Sequence, residues 1–327
     1  MRAVVIGLGS MGRRRIRLLR SIDPTMDVVG ADLSPERRTQ ATLELGIRTY
    51  ESLYEAVAVE DTDIALVCTS PATHASIVTE CLNAGLHTFT ELNLVADAYE
   101  QNIKLARKKG LTLFLSSTFL YRRETQRIID EVGGLTGVYT YHIGQYLPDW
   151  HPWESWRDFF VASSRTSGIR EILAIELPWL QGAFGSIKNV TSKRRSVTGL
   201  GLPYDDTAAL MIEHESGALG MLLVDVVCRK AVRHFEYEDE LHYLTWDGTP
   251  DTLRLLDVES GEMRQLMLYG DGEAQHKDGY ASFVVENAYQ DELVAFLDAV
   301  VGRSVPSYGF AEDLTTLRVI DEVEGLL

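Results

Sequence analysis

The feature that most restricts what this chain can fold into is a glycine spacing at its start. An apolar run, Arg2 to Ile6, leads into Gly7-Leu8-Gly9-Ser10-Met11-Gly12, and a helical pattern, Met11 to Ser21, follows directly. A strand, a glycine-rich turn and a helix in that order form the context in which G-x-G-x-x-G marks a nucleotide-binding βαβ unit. Gly7 permits the tight turn, Gly9 lets a pyrophosphate approach the backbone, and Gly12 lets helix and strand pack closely. The amides of Ser10 and Met11 are expected to hold the pyrophosphate at the positive end of the helix. Asp32 ends the second strand, twenty residues beyond Gly12. A carboxylate there accepts hydrogen bonds from the adenosine ribose hydroxyls and repels a 2′-phosphate. Because Leu33 follows it rather than an arginine, the expected cofactor is NAD, with Arg37 and Arg38 keeping NADP as the alternative.

The alternation continues to about residue 118. Asp27 to Ala31, Asp63 to Thr69, Leu86 to Thr90 and Leu111 to Ser116 read as further strands. Helical patterns lie between them at Pro35 to Leu45, His74 to Ala84 and Tyr99 to Lys109, and Gly46, Gly85 and Gly110 stand where helices prefer to end. This βαβ order predicts a Rossmann-type, doubly wound parallel sheet. After residue 118 the texture changes. A helix at Glu124 to Glu131, a strand at Gly137 to Gly144 and a helix at Arg170 to Gly182 precede strand-like segments running from Ile187 to Met267. Short turns such as His214-Glu215-Ser216-Gly217 join them, which predicts a large, open, mainly antiparallel sheet in a second α/β domain. Helices at Ala288 to Val301 and Ala311 to Gly325 close the chain. The expected domains are therefore residues 1–118 and 119–327.

With 48 acidic against 31 basic residues the formal charge is −17, which disfavours nucleic acid and anionic membrane surfaces as partners. Cys68, Cys81 and Cys228 are too few and too scattered for a disulfide framework, and no CxxC pair suggests zinc. His234, His242 and His276 have no metal-ligand spacing, so no metal is expected. Arg13, Arg14 and Arg15 follow the first apolar run instead of preceding it, unlike a secretory signal, and no stretch approaches the roughly 18 apolar residues of a membrane span. A cytoplasmic protein is the expectation.

Two further motifs accompany the fingerprint: Thr69-Ser70-Pro71-Ala72-Thr73-His74 and Thr90-Glu91-Leu92-Asn93-Leu94. With the closing helix at Tyr289 to Phe296, their order and spacing resemble the glucose–fructose oxidoreductase and inositol dehydrogenase (Gfo/Idh/MocA) family over essentially the whole chain. The resemblance implies a Rossmann domain followed by an α/β domain that carries substrate on one side of its sheet and often an oligomer contact on the other. It implies hydride transfer between NAD(P) and a hydroxyl carbon of a sugar, cyclitol or nucleotide sugar, and a homodimer or homotetramer. It adds Thr69, Ser70, Pro71, His74 and Glu91 to the cofactor-binding set and Asn93, Thr118, Tyr121 and Glu171 to the substrate-binding set. Where the family has Glu-Lys-Pro, this chain has Glu91-Leu92-Asn93. Where the family helix carries an aspartate, a histidine and another aspartate, it has Glu171, Ile175 and Pro178. The usual lysine and histidine are absent.

Oxidation of a secondary alcohol needs a base for the hydroxyl proton, and a positioned one contributes roughly a hundredfold or more. Glu91, His151 and Glu176 are the candidates. Glu171 and Glu176 are five apart on one helix, so at most one of them is expected to face a substrate squarely. The loop Tyr146 to Glu154 adds Trp150 and Trp153, which either stack on a substrate ring or pin the loop to the core. Two readings stand: an NAD(H)-dependent oxidoreductase on a sugar-like substrate, or a catalytically silent NAD-binding homologue acting as sensor, regulator or assembly subunit.

Overall fold

The apolar runs of the N-terminal third form strands buried along nearly their whole length, as parallel strands covered on both faces must be. They are β1 (Arg2–Ile6), β2 (Asp27–Ala31), β3 (Thr49–Tyr50), β4 (Ile64–Val67), β5 (His87–Thr90) and β6 (Leu113–Leu115). Their order in the sheet is β3-β2-β1-β4-β5-β6, with parallel pairing throughout. The helices α1 (Ser10–Ile22), α2 (Pro35–Leu45), α3 (Leu53–Val59), α4 (His74–Asn83) and α5 (Tyr99–Lys109) make the crossovers. The doubly wound sheet matches the sequence expectation, apart from β3 and α3. Two residues of strand are too short to show a period, so that edge was invisible beforehand. The computed structural model describes residues 1–150, 155–270, 272–275 and 284–326.

The chain divides into two units, Met1–Ser117 with Tyr289–Thr315, and Thr118–Ala288 with Thr316–Leu327. The second unit begins at Thr118, but not everything beyond it falls in that unit. Residues 289–315 belong with the Rossmann unit. The reason lies in α8 (Glu286–Val300), whose Phe296 packs edge-on against Phe89 and Phe114 with ring centroids 5.6 Å away in each case. At the same unit's other end Tyr99 donates to Asp313 at 2.5 Å.

In the second unit α6 (Arg123–Val132) leads to β7 (Val138–Gly144), and α7 (Gly168–Phe184) leads to β8 (Ile187–Arg195), β9 (Thr207–His214), β10 (Leu219–Asp225), β11 (Val232–Glu238), β12 (Tyr243–Trp246), β13 (Arg254–Asp257) and β14 (Glu262–Gln265). These strands form one sheet in the order β14-β13-β12-β11-β7-β10-β9-β8. Only β7 with β10 pairs in parallel. One face is covered by α7: Tyr139 stacks on Phe184 at 4.8 Å, and Tyr141 meets Trp179 edge-on at 5.6 Å. The other face leaves Met211 67% and Met221 57% exposed. A final helix, α9 (Phe310–Val323), begins in the first unit and ends in the second. Among the described residues no helix is long and apolar enough to cross a membrane.

Candidate functional site

The glycine turn has the geometry its spacing predicts. Gly7 has φ +91°, and a Cβ on Gly12 would lie 1.8 Å from the Gly7 carbonyl oxygen, so no other residue fits there without opening the turn. Around Gly9 nothing stands within 4 Å of a Cβ position. It caps α1 with no side-chain hydrogen bond, and the first turn of α1 carries no acidic residue. The positive end of a long helix is thus left open to an anion. Asp32 accepts from the Leu8 amide at 2.7 Å and the Ser34 amide at 2.8 Å, one on each carboxylate oxygen. It therefore ties the turn after β1 to the turn after β2 and keeps lone pairs for ribose hydroxyls. Arg38 donates to the backbone carbonyls of Asp32 and Leu33 at 2.7 and 3.1 Å, while Leu33 is exposed. A turn open at Gly9, an uncapped helix start and a carboxylate at the second strand fit a dinucleotide.

The other cofactor-loop residues lie at the ends of β4 and β5. His74 sits between the Thr69 carbonyl at 2.9 Å and the side chains of Asn93 at 2.6 Å and Thr90 at 3.2 Å. Burial holds its pKa below the ordinary value, so the ring is neutral and locks the two loops together. Asn93, expected to face substrate, is instead buried and engaged with His74. Pro71 is buried, Thr69 half-buried and Ser70 exposed, and Ser10 and Met11 are half-buried on the first turn of α1.

Glu91 is held from behind by an arginine that the sequence reading passed over. Arg15, fully buried on α1, donates to both Glu91 oxygens at 2.6 and 3.0 Å, to Glu292 on α8 at 2.7 Å and to Ser116 at 3.2 Å. Glu292 also accepts from the Ser117 amide at 2.7 Å. Burial alone would lower the Arg15 pKa, but the two carboxylates outweigh it and hold the guanidinium charged. Burial pushes the Glu292 pKa up, with Arg15 opposing. Glu91 is thus clamped from behind by a guanidinium.

In the second unit the two glutamates of α7 have opposite surroundings. Glu176 is completely buried and fully engaged: Tyr141 Oη and Trp179 Nε1 each donate to it at 2.8 Å, and Arg233 does so at 2.7 Å. This removes it as a free base; it is the polar centre of the core beneath α7. Glu171, one turn in from the start of α7, has its Oε2 buried without a hydrogen-bond partner among the described residues. Burial pushes its pKa up to about 8. Nearby Tyr204 has a buried hydroxyl beside the Gly168 backbone, and burial raises its pKa to about 12. A Cβ on Gly168 would lie 3.4 Å from both Tyr204 Oη and Trp150 Cη2, so these rings converge on the start of the same helix. Trp150 donates its indole N–H to the Gln145 carbonyl at 3.0 Å and lines a small apolar cavity with Leu147, Trp156, Phe159 and Val161. It packs the loop as well as bordering Gly168. Thr118 and Tyr121 lie half-buried in the turn Thr118–Tyr121. His151 and Trp153 lie outside the described residues.

Residues 1–117 match GFO_IDH_MocA, the oxidoreductase family with an NAD-binding Rossmann fold. Over these residues the chain is similar to the Gfo/Idh/MocA family. Myo-inositol 2-dehydrogenase of Thermotoga maritima is 28% identical over 135 residues, 40% of either chain. Biliverdin reductase A of Homo sapiens is 27% identical over 194 residues, covering 58% of this chain and 60% of that protein. The matches thus span less than two thirds of these relatives. Levoglucosan dehydrogenase, solved with NADH and levoglucosan, superposes with a TM-score of 0.80 over 100% of this chain and 96% of its own, at 16% identity, a likeness of fold.

The positions at which the resemblance implies a lysine, a histidine and an aspartate carry Leu92, Ile175 and Pro178. Leu92 and Ile175 are half-buried, and Pro178 is buried inside α7. Sequence reasoning missed Arg15, Arg233 and the isolation of Glu171. The run of three arginines after the fingerprint was the available signal for Arg15, since Arg14 and Arg15 fall on the inner side of an amphipathic helix that buries Ile16, Leu18 and Leu19.

Proposed function

We propose that the protein is an NAD(H)-dependent oxidoreductase that moves a hydride between the cofactor and a hydroxyl-bearing carbon of a sugar- or polyol-like substrate, with Glu171 handling the hydroxyl proton. The observation that carries this reading is the Glu171 carboxyl group, buried at the start of α7 with one oxygen unpartnered. A carboxyl group kept in that state is a candidate proton-transfer group. NAD, when bound, supplies the hydride acceptor. In the oxidative direction the carboxylate of Glu171 takes the hydroxyl proton as the carbon loses hydride; in the reductive direction the carboxylic acid returns it to the developing alkoxide. With its pKa near 8, Glu171 carries its proton at neutral pH, so reduction is proton-competent there and oxidation strengthens as pH rises through 8. Gly7, Gly9, Gly12 and Asp32 hold the cofactor, and Arg15 fixes Glu91 in place for the nicotinamide end.

The substrate class rests on the chemistry of Glu171 and on relatives whose names specify myo-inositol and levoglucosan. A homodimer or homotetramer belongs to the same proposal, formed through the sheet face that exposes Met211, Leu219, Met221 and Leu223. The deciding experiment mixes the purified protein with NAD+ or NADH and a panel of polyols, aldoses, ketoses and nucleotide sugars, with biliverdin included, and follows reduced-cofactor absorbance and binding together. Turnover that Glu171→Gln removes while NADH still binds supports the reading. Tight NADH binding with no turnover across the panel establishes the silent homologue instead, and unchanged turnover in Glu171→Gln removes Glu171 from the chemistry.

A further inference from the structure

On the face of the second sheet opposite α7, three potential ligands converge, two from neighbouring strands and one from the turn after β10. The parallel register of β7 and β10 sets Gly144 beside Asp225. A Cβ on residue 144 would lie 2.6 Å from Asp225 Oδ2, so glycine there is what makes room for the carboxylate. Asp225 Oδ1 accepts from the Val227 and Cys228 amides at 3.0 and 2.8 Å, a turn that brings the Cys228 thiol back toward the carboxylate. His142 Nε2 lies 2.8 Å from Asp225 Oδ2. One donor atom each from His142, Asp225 and Cys228 lie within 4.8 Å of one another. Asp225 is buried, whereas His142 and Cys228 are half-buried. None of the three takes part in the chemistry assigned to Glu171.

We propose that His142 Nε2, Asp225 Oδ2 and Cys228 Sγ bind one zinc-class divalent ion, with a water in the fourth position. A single oxygen beside an imidazole and a thiolate does not suit calcium or magnesium, which require shells of oxygen, whereas it suits tetrahedral Zn2+. The two amides on Oδ1 hold the carboxylate in one orientation, as outer partners of metal ligands do. On binding, the thiol gives its proton to solvent and breaks its 2.9 Å contact with the Lys230 carbonyl, while the imidazole proton moves to Nδ1 so that Nε2 can coordinate. The site reaches the neighbouring loop through backbone: Leu147 donates to the Val226 carbonyl at 2.9 Å and Tyr146 to the Cys228 carbonyl at 2.8 Å. An ion on Cys228 therefore stiffens the segment that leads to Trp150.

The test uses the full-length protein dialysed against chelator and then titrated with Co2+ alone. The expected result is one equivalent bound with a thiolate-to-cobalt charge-transfer band and intense tetrahedral visible bands, release of one proton, and displacement by Zn2+. Cys228→Ser removes the charge-transfer band, and His142→Ala weakens Co2+ binding by roughly tenfold or more, both with an unchanged far-ultraviolet dichroism spectrum. A cobalt spectrum without a thiolate band, a band that persists in Cys228→Ser, or an affinity untouched by His142→Ala overturns the proposal.

Discussion

Replacing Glu171 with glutamine should make the second unit more stable, and increasingly so as the pH rises. In the native protein burial lifts the carboxyl pKa from 4.5 to about 8, so the folded state resists ionisation that the unfolded chain undergoes freely. A group whose folded pKa is raised supports the fold fully below its unfolded pKa and loses that support as pH climbs to the folded value. Each pH unit between those limits removes about 1.4 kcal/mol. The penalty reaches about 3 kcal/mol at pH 7 and about 5 kcal/mol above pH 8. Glutamine has nearly the same shape and no charge to lose. All five tryptophans fall between residues 150 and 246, within the second unit, so tryptophan fluorescence during urea unfolding reports that unit. The stability of Glu171→Gln relative to the parent should rise by about 1.4 kcal/mol per pH unit from pH 5 to pH 8 and then level off. A difference that stays flat across that range would mean Glu171 titrates normally, and the proton-transfer assignment would lose its basis.

Three other substitutions test the surrounding architecture. Arg15→Met leaves Glu91 and Glu292 without their cation and should cost the first unit about 3–5 kcal/mol, read as a fall in melting temperature that saturating NADH only partly restores. Asp32→Ala removes the ribose acceptor and the link between two turns; NADH affinity should fall by roughly tenfold or more and the preference over NADPH should shrink, measured by cofactor fluorescence. Glu176→Gln strands Arg233 in the core and should lower the stability of the second unit by about 3 kcal/mol or more by urea unfolding, whereas a loss of turnover at unchanged stability would restore Glu176 as a candidate base.

The parallel sheet was legible because buried strands and glycine-ended helices leave a strong one-dimensional pattern, and the fingerprint placed Gly7, Gly12 and Asp32 without help from three dimensions. What stayed hidden were relationships between residues far apart in the chain. Glu91 looked like a free carboxylate at a strand end, and only the pairing with Arg15, 76 residues earlier, shows it to be engaged. Glu176 and Glu171 are equivalent letters in one helical pattern; they part company because Arg233, 57 residues later, reaches the first, and among the described residues no cation reaches the second. The return of residues 289–315 to the first unit depends on Glu292 and Phe296, which in sequence look like members of an ordinary amphipathic helix. His142, Asp225 and Cys228 show no ligand spacing, since β-sheet register brings them together.

On the proposed reading, the surroundings of the three glutamates decide which of them can exchange a proton. Glu91 and Glu176 are each engaged by a buried arginine, Arg15 and Arg233. Among the described residues Glu171 faces no such partner, and Ile175, one turn further along α7, supplies none. Residues four apart on a helix stand about 5–6 Å apart at Cβ. A protonated imidazole at that distance would favour the carboxylate by about 3 kcal/mol at an effective dielectric near 20, or about two pH units. Ile175→His should therefore shift the oxidative pH limb and the stability inflection of Glu171 toward acid by up to that amount. The parent protein, by this logic, works with an acid of high pKa because it lacks the cation that would lower it. If Ile175→His leaves both the pH limb and the inflection where they are, the raised pKa of Glu171 does not come from its uncharged surroundings, and the link between the missing histidine and the retained carboxyl group is wrong.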